Sequence, residues 1–209
     1  MKLEEYLYRW FGYSEFRPGQ KGVITDLLEG KDVIAMLPTG RGKSMCYQLP
    51  GLMQEGTVLV VSPLLSLMED QVTQLKYVVK NRVIAFNSFR TLHEKREAMK
   101  RLASYKFIFV SPEMLQSELL IRELKKVHIS LFVVDEAHCI SQWGYDFRPD
   151  YKKLNVVIEN IGSPTVLALT ATATKDVLRD IAESLNLENV TQHVYSIDRP
   201  NIAMEVQFV

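Results

Sequence analysis

The sequence has few cysteines and no motif built from them. Its 209 residues contain two, Cys46 and Cys139, both in apolar surroundings and without a CxxC pair. A disulfide scaffold is therefore excluded, and no structural zinc motif is visible. Unpaired thiols of this kind are typical of reducing compartments, so we expect an intracellular protein.

Long hydrophobic runs and excess charge are also missing. Runs such as residues 57–61 and 130–134 fall far short of the ~20 residues that a membrane helix needs, so no membrane partner is expected. The first ten residues mix charged and apolar side chains, unlike a signal peptide. The 25 basic side chains are balanced by 25 acidic ones, which argues against binding of DNA through a simple basic tail, so any nucleic-acid role must rest on local groups.

The remaining composition, 47% hydrophobic and 24% charged, is that of an ordinary folded domain. Short apolar runs rich in β-branched residues predict buried strands, at residues 33–37, 58–61, 83–86, 107–110, 131–134 and 165–169. Amphipathic patterns between them predict helices, at residues 43–54, 66–79, 92–103 and 175–185. This alternation predicts one α/β domain over residues 1–209, with a doubly wound, mainly parallel sheet flanked by helices. Ligands of such sheets bind beyond the carboxyl ends of the strands.

A candidate phosphate loop follows the first predicted strand. Residues 37–44 read LPTGRGKS and run into a helical pattern. Such a loop lets backbone N–H groups surround phosphates, with Lys43 reaching the terminal phosphates and Ser44 binding Mg²⁺. The strict pattern has Gly where Leu37 stands, so this is a relaxed form. The alternative is a Gly-rich turn that happens to carry Lys and Ser.

An acidic pair ends the fifth predicted strand. Residues 131–138 read LFVVDEAH. Asp135 suits a Mg²⁺ shell and Glu136 suits the base that orients an attacking water, as phosphoryl transfer requires. The alternative is a solvated Asp-Glu turn, which is less favoured beside a phosphate loop. His138 could equally be a hydrogen-bonded packing residue.

Together these segments resemble motifs I, II and III of superfamily-two helicases: GK-S at residues 42–44, DEAH at 135–138 and TATA at 170–173. Two further stretches are similar to the RecQ family of DNA helicases: FRPGQ at residues 16–20, with Tyr13 upstream, and SQWGYDFRPDY at 141–151. The resemblance covers essentially the whole chain, as far as residues 198–201. It implies a RecA-like P-loop domain, the first motor domain of an ATP-dependent 3′ to 5′ DNA helicase, located in the bacterial cytoplasm with the nucleoid or in the nucleus.

The resemblance also implies site residues, cofactors and partners. ATP and Mg²⁺ are the expected cofactors, and single-stranded and partly duplex DNA the expected partners. Catalysis is assigned to Lys43, Asp135 and Glu136, and Mg²⁺ to Ser44 and Asp135. ATP binding is assigned to Tyr13, Arg17, Gln20, Thr39, Gly40, Arg41, Gly42, Lys43 and Ser44. DNA binding or coupling is assigned to Ser62, Ser111, His138, Gln142, Trp143, Tyr145, Phe147, Arg148, Thr170 and Thr172.

Several of these residues have plainer interpretations. A Gln amide can pair with the adenine edge, yet Gln20 alone reads as a surface amide near a helix start opened by Pro18. Trp143 and Phe147 could stack on bases or pack into the core. The Ser-Pro pairs at 62–63 and 111–112 could bind phosphates or simply begin helices. The TATA stretch is also a turn into a helix, with Thr174 as its cap.

The chain departs from the family in three ways. Arg41 stands where Gly is usual, and Tyr145 where His is common, which puts nucleotide affinity and DNA coupling in doubt at those positions. The second RecA-like domain, with its arginine finger, lies outside the 209 residues. We therefore expect this chain alone to bind ATP weakly, to hydrolyse it slowly or not at all, and not to unwind duplex.

Three other functions compete with this interpretation. The first is an RNA helicase or remodeller of the same superfamily. Residues 16–20 and 142–151 argue against it, because they resemble the RecQ family. A kinase or nucleotide switch would have a substrate loop in place of the aromatic stretch. A module that binds DNA or nucleotide without turnover fits the 209 residues if the second domain is essential for hydrolysis.

Overall fold

A computed structural model of the chain describes residues 2–40, 42–87, 90–144 and 146–195. Within them seven strands form one sheet in which every pairing is parallel. The strands are β1 (Val33–Met36), β2 (Thr57–Val61), β3 (Val83–Phe86), β4 (Phe107–Val110), β5 (Ile129–Val134), β6 (Thr165–Thr170) and β7 (Thr191–Val194). Their order across the sheet is β3-β4-β2-β5-β6-β1-β7.

Helices precede the sheet and connect its strands. They are α1 (Leu3–Phe11), α2 (Gln20–Leu28), α3 (Met45–Met53), α4 (Leu65–Val79), α5 (Leu92–Met99), α6 (Glu118–Leu124), α7 (Leu154–Asn160) and α8 (Lys175–Ser184). Short 3₁₀ segments lie at Leu102–Ser104, Pro112–Gln116, Ala137–Ile140 and Pro149–Lys153. Among the described residues, no helix is long and apolar enough to cross a membrane.

Strands β1 to β6 are buried on both faces of the sheet, as their continuous apolar runs predict, whereas β7 has no fully buried residue. Along β1, Val33 and Ala35 enter one hydrophobic cluster, which α4 covers, while Ile34 enters the other, which α8 covers. Burial on both faces leaves no room for polar chemistry within the strands. Polar groups therefore collect where the strands end, and β5, β6 and β1 are neighbours that end at one edge.

The predicted α/β sheet flanked by helices is confirmed, and it is parallel throughout the described residues. All the predicted strands form within about two residues of their expected bounds, and the hydroxyl of Thr174 caps α8 by accepting the Val177 N–H (3.3 Å). The helix predicted over 92–103 ends at Met99. Strand β7 was not predicted because its sequence, TQHV, is half polar, as suits an edge strand that pairs only with β1.

Candidate functional site

The loop after β1 forms the centre of the site. Leu37 and Pro38 are buried, Thr39 and Gly40 are exposed, and the chain then enters α3. Hydrogen bonds from Met45 N–H to Gly42 O (3.1 Å) and from Cys46 N–H to Lys43 O (3.0 Å) wind the chain into the helix. The hydroxyl of Ser44 does not cap α3. The predicted strand, phosphate loop and helix are therefore arranged as the motif requires.

The segment before α2 holds this loop in place. The Arg17 guanidinium donates to Gly40 O, and Gln20 Nε2 donates to Gly42 O at 2.9 Å. Gln20 Oε1 in turn accepts the Arg17 N–H (2.9 Å), and the side chain is 4% exposed. Gln20 is thus a buried residue and not the surface amide of the plainer interpretation. Because both ends of its amide are engaged within the protein, pairing with adenine requires these bonds to exchange.

Gly42 is the position where the loop and this segment meet. Its φ of +69° favours glycine, and an added Cβ would lie 2.7 Å from Gln20 Nε2. A cavity of about 220 Å³ lies beside this contact and is lined by Leu7, Phe11, Tyr13, Arg17, Gln20, Gly42 and Gln48, among others. Tyr13, which is half exposed, therefore shares a cavity with Gln20, as a base-binding role requires.

A second cavity, of about 370 Å³, lies on the other side of the loop. Its lining includes Thr39, Gly40, Gly42, Lys43, Ser44, Asp135 and Glu136. The cavity thus combines a cation, a hydroxyl and two carboxylates, which is the donor set that phosphates and Mg²⁺ require. The residues that line this cavity are therefore suited to bind both phosphates and Mg²⁺. They follow β1 and β5, and β6 lies between these two strands in the sheet.

Asp135 is the most strongly perturbed carboxyl in this cavity. Burial raises its pKa from 3.8 to about 6, and the charge of Glu136 adds to the rise. Lys43 and hydrogen bonds from Glu136 N–H (3.0 Å) and the Ser62 hydroxyl (3.4 Å) oppose it. At neutral pH the carboxylate is therefore mostly ionised but poorly solvated, a state that a bound cation would stabilise.

Glu136 follows in a left-handed backbone conformation, with φ +50° and ψ +46°. This conformation is uncommon for a residue with a side chain and costs about 1–3 kcal/mol. It turns the Glu136 N–H back onto Asp135 Oδ1 and starts the 3₁₀ segment Ala137–Ile140. The strained backbone thus lies where the two predicted catalytic residues join.

A chain of polar contacts joins the acidic pair to the end of β6. His138 Nδ1 lies 3.4 Å from Glu136 Oε2 and 3.0 Å from Thr170 Oγ1. The Thr170 hydroxyl donates to Thr172 O at 3.0 Å. Because this hydroxyl has one proton, Nδ1 must be the donor to Thr170. His138 is therefore more than a packing residue, since it links the DEAH turn to the TATA stretch.

Four of the predicted DNA or coupling hydroxyls are buried, including that of Thr170 described above. Ser62 and Ser111 are buried, and the Ser62 hydroxyl donates a hydrogen bond to Asp135 Oδ2. In the described part of the chain, Ser111 Oγ and Thr172 Oγ1 are buried without a hydrogen-bond partner. Such groups destabilise the fold by about 1–3 kcal/mol each. The Ser62 hydroxyl therefore contacts Asp135, and DNA contacts by these hydroxyls stay a prediction.

The aromatic stretch after the DEAH turn lies at the surface. Gln142 is exposed and Trp143 is 82% exposed, whereas Phe147 is half-buried with Lys152 Nζ 5.2 Å from its ring centroid. Arg148 is half-buried and lies 3.4 Å from Asp146. The interpretation of Trp143 as a core residue is therefore wrong. Cavities beside it are lined by the acidic residues Asp180 and Glu183 of α8 and by the basic residues Lys152 and Arg179.

This stretch is packed closely against the DEAH turn. The Arg148 N–H donates to Cys139 O (2.9 Å) and the Gly144 N–H to Ser141 O (3.1 Å). A Cβ added at Gly144 would lie 2.6 Å from His138 O, so glycine is required for this approach. The predictions for Arg41 and Tyr145 lie outside the described residues.

Sequence reasoning missed two residues of the site. Tyr151 donates its hydroxyl to Asp135 O (3.2 Å), and Gln71 accepts from Tyr47 (3.2 Å) and Gln48 (2.9 Å) beside the 370 Å³ cavity. Tyr151 ends the aromatic stretch, so its place in a recognised motif was an available signal. Gln71 lies in the middle of α4 and no pattern in the sequence marks it.

Comparison with known proteins agrees with this geometry. The sequence profile of the DEAD/DEAH box helicase family matches residues 17–181. The probable ATP-dependent DNA helicase RecS of Bacillus subtilis is 54% identical over 206 residues, which is 99% of this chain and 42% of that protein. The ATP-dependent DNA helicase RecQ of Haemophilus influenzae is 42% identical over 196 residues, covering 92% of this chain and 31% of that protein. The resemblance to RecQ-family helicases is confirmed.

Solved structures support the fold. The Mycobacterium smegmatis helicase Lhr, in a structure bound to ssDNA and AMP-PNP, superimposes with a TM-score of 0.73 at 20% identity. The match covers 91% of this chain and 27% of that one. At this identity the likeness concerns the fold, which is confirmed as that of a RecA-like helicase domain.

Asp135→Asn is expected to stabilise the protein in a pH-dependent way. The folded pKa of about 6 exceeds the ordinary 3.8, so the wild type loses stability as Asp135 ionises between pH ~4 and ~6. The neutral amide avoids this loss of up to ~3 kcal/mol. Urea unfolding should show the variant more stable above pH 6, with the difference fading towards pH 4. A difference that is the same at every pH would contradict the assignment.

Proposed function

The chain belongs to the DEAD/DEAH box helicase family, and on that premise we propose that it is the ATP-binding motor domain of a RecQ-like DNA helicase. The observation that carries the proposal is the shared cavity of Lys43, Ser44, Asp135 and Glu136. These side chains come from two loops, after β1 and β5, that the sheet brings to one edge.

Each residue of this cavity has a distinct role in the proposed hydrolysis of ATP. Lys43 binds the terminal phosphates, and Ser44 and Asp135 hold Mg²⁺. When bound, Mg²⁺ supplies positive charge against the charge that develops during phosphoryl transfer. Glu136 orients the attacking water and accepts its proton. Tyr13, Arg17 and Gln20 border the cavity where the base would lie.

Single-stranded DNA is the proposed second ligand, bound through the aromatic stretch. Trp143 offers a ring face to a base without regard to its identity, which suits a motor that moves along any sequence. The cavities beside Trp143 carry charges of both signs, from Asp180 and Glu183 and from Lys152 and Arg179.

The whole protein's activity is part of the same proposal. The chain spans 42% and 31% of the length of the two relatives described above. We propose that a second RecA-like domain supplies an arginine finger, which can raise the rate by ~10³ or more. Unwinding with 3′ to 5′ polarity, and a location with the nucleoid or in the nucleus, would belong to that complete protein.

Lys43→Ala is expected to weaken ATP binding by roughly 10–150-fold, because the variant loses a charge-assisted hydrogen bond to phosphate. Isothermal titration with Mg²⁺ and a non-hydrolysable ATP analogue measures this. Lys21→Ala is the matched control, since Lys21 is exposed on α2 and pairs with Glu4. Equal affinity of wild type and Lys43→Ala would remove the phosphate loop from the proposal.

Trp143→Ala is expected to weaken binding of a labelled oligothymidylate by about 1–3 kcal/mol, the value of one stacked base. Fluorescence anisotropy at low salt measures the affinity. Tyr77→Ala is the control, because Tyr77 is an aromatic residue of α4 that is 89% exposed. The assignment fails if the two variants lose the same affinity or if neither loses any.

A further inference from the structure

Three metal-ligating side chains meet at the base of the aromatic stretch, outside the nucleotide cavity. His138, Cys139 and Asp146 each present one ligand atom, and the three atoms lie within 4.8 Å of one another. His138 and Cys139 are buried and Asp146 is half-buried. The proposed hydrolysis of ATP uses neither Cys139 nor Asp146, so their convergence is unexplained by it.

The spacing of this cluster suits a tetrahedral ion. Cys139 Sγ lies 3.6 Å from Asp146 Oδ2. Two ligands at the usual Zn–S and Zn–O distances of about 2.3 and 2.1 Å stand about 3.6 Å apart at a tetrahedral angle. The remaining ligand atom, on His138, lies at most 4.8 Å from the other two and would have to approach by up to about 1.2 Å to reach the 3.6 Å spacing.

The backbone already holds these residues together. Arg148, two residues after Asp146, donates its N–H to Cys139 O (2.9 Å). This bond holds the segment that carries Asp146 against the 3₁₀ segment Ala137–Ile140. The bond between His138 Nδ1 and Thr170 fixes the imidazole. Arg148 Nη2, 3.4 Å from Asp146 Oδ2, is the competing cation. Both Cys139 and Arg148 approach the same oxygen, Oδ2, so binding of an ion there requires Arg148 to move to Oδ1, the second carboxylate oxygen.

We propose that His138, Cys139 and Asp146 form a Zn²⁺ site with three protein ligands and a water in the fourth position. Thiolate and imidazole ligands select zinc over Mg²⁺, which prefers oxygen ligands alone. The bound ion would connect the DEAH turn directly to the aromatic stretch, 141–151. The thiol proton of Cys139 passes to the buffer on binding.

Cobalt is the probe that reports on the thiolate. The reduced 209-residue chain is titrated with Co²⁺, and the expected result is one equivalent bound, with a thiolate-to-cobalt absorption band that Zn²⁺ removes. Cys139→Ser should abolish the band. Asp146→Asn should weaken the affinity for Zn²⁺ by more than the roughly 10–100-fold that loss of an outer-shell partner causes. Cys46→Ala, at the chain's other cysteine, should retain both signals.

The outcomes separate a metal site from a thiol that is merely hydrogen-bonded to Asp146. Absence of the band, or Zn²⁺ affinity unchanged in both variants, overturns the proposal. Circular dichroism identifies a variant that does not fold, and if Cys139→Ser fails in this way, Asp146→Asn decides alone. The readout involves neither ATP nor DNA, so failure here leaves the proposed helicase function standing.

Discussion

The hydrogen bond from His138 to Thr170 is the contact on which the rest of the site depends. It joins the end of β5 to the end of β6, and its direction is fixed because the Thr170 proton is committed to Thr172 O. Glu136 lies against the same imidazole, and the aromatic stretch returns to the same turn through Arg148. A change at the predicted catalytic base therefore has a short physical route to the predicted DNA-binding surface.

The edge of the sheet that carries the site contains several buried or strained groups that oppose folding. Asp135 is buried with a raised pKa, Glu136 occupies a strained backbone conformation, and the hydroxyls of Ser111 and Thr172 lack partners among the described residues. Each feature opposes folding by about 1–3 kcal/mol. Two apolar clusters, one on each face of the sheet, offset them.

The sequence predicted the parts of the structure that depend on local pattern. Apolar runs located six strands, and the GK-S and DEAH segments located the loops that share a cavity. It could not predict that Gln20 is bonded to Gly42, that Tyr151 reaches Asp135 O, or that Gly144 must approach His138 O. These contacts depend on how separate segments approach one another. Strand β7 escaped prediction because an edge strand needs less apolar surface.

We propose that the nucleotide and DNA sites are linked through Thr170. The direct measurement is the affinity of the chain for an oligothymidylate with and without a saturating Mg²⁺ complex of a non-hydrolysable ATP analogue, in wild type and in Thr170→Val. We predict that the nucleotide changes DNA affinity in the wild type, by about 5–150-fold, and that Thr170→Val binds both ligands with little mutual effect. The same dependence in both proteins would contradict the account.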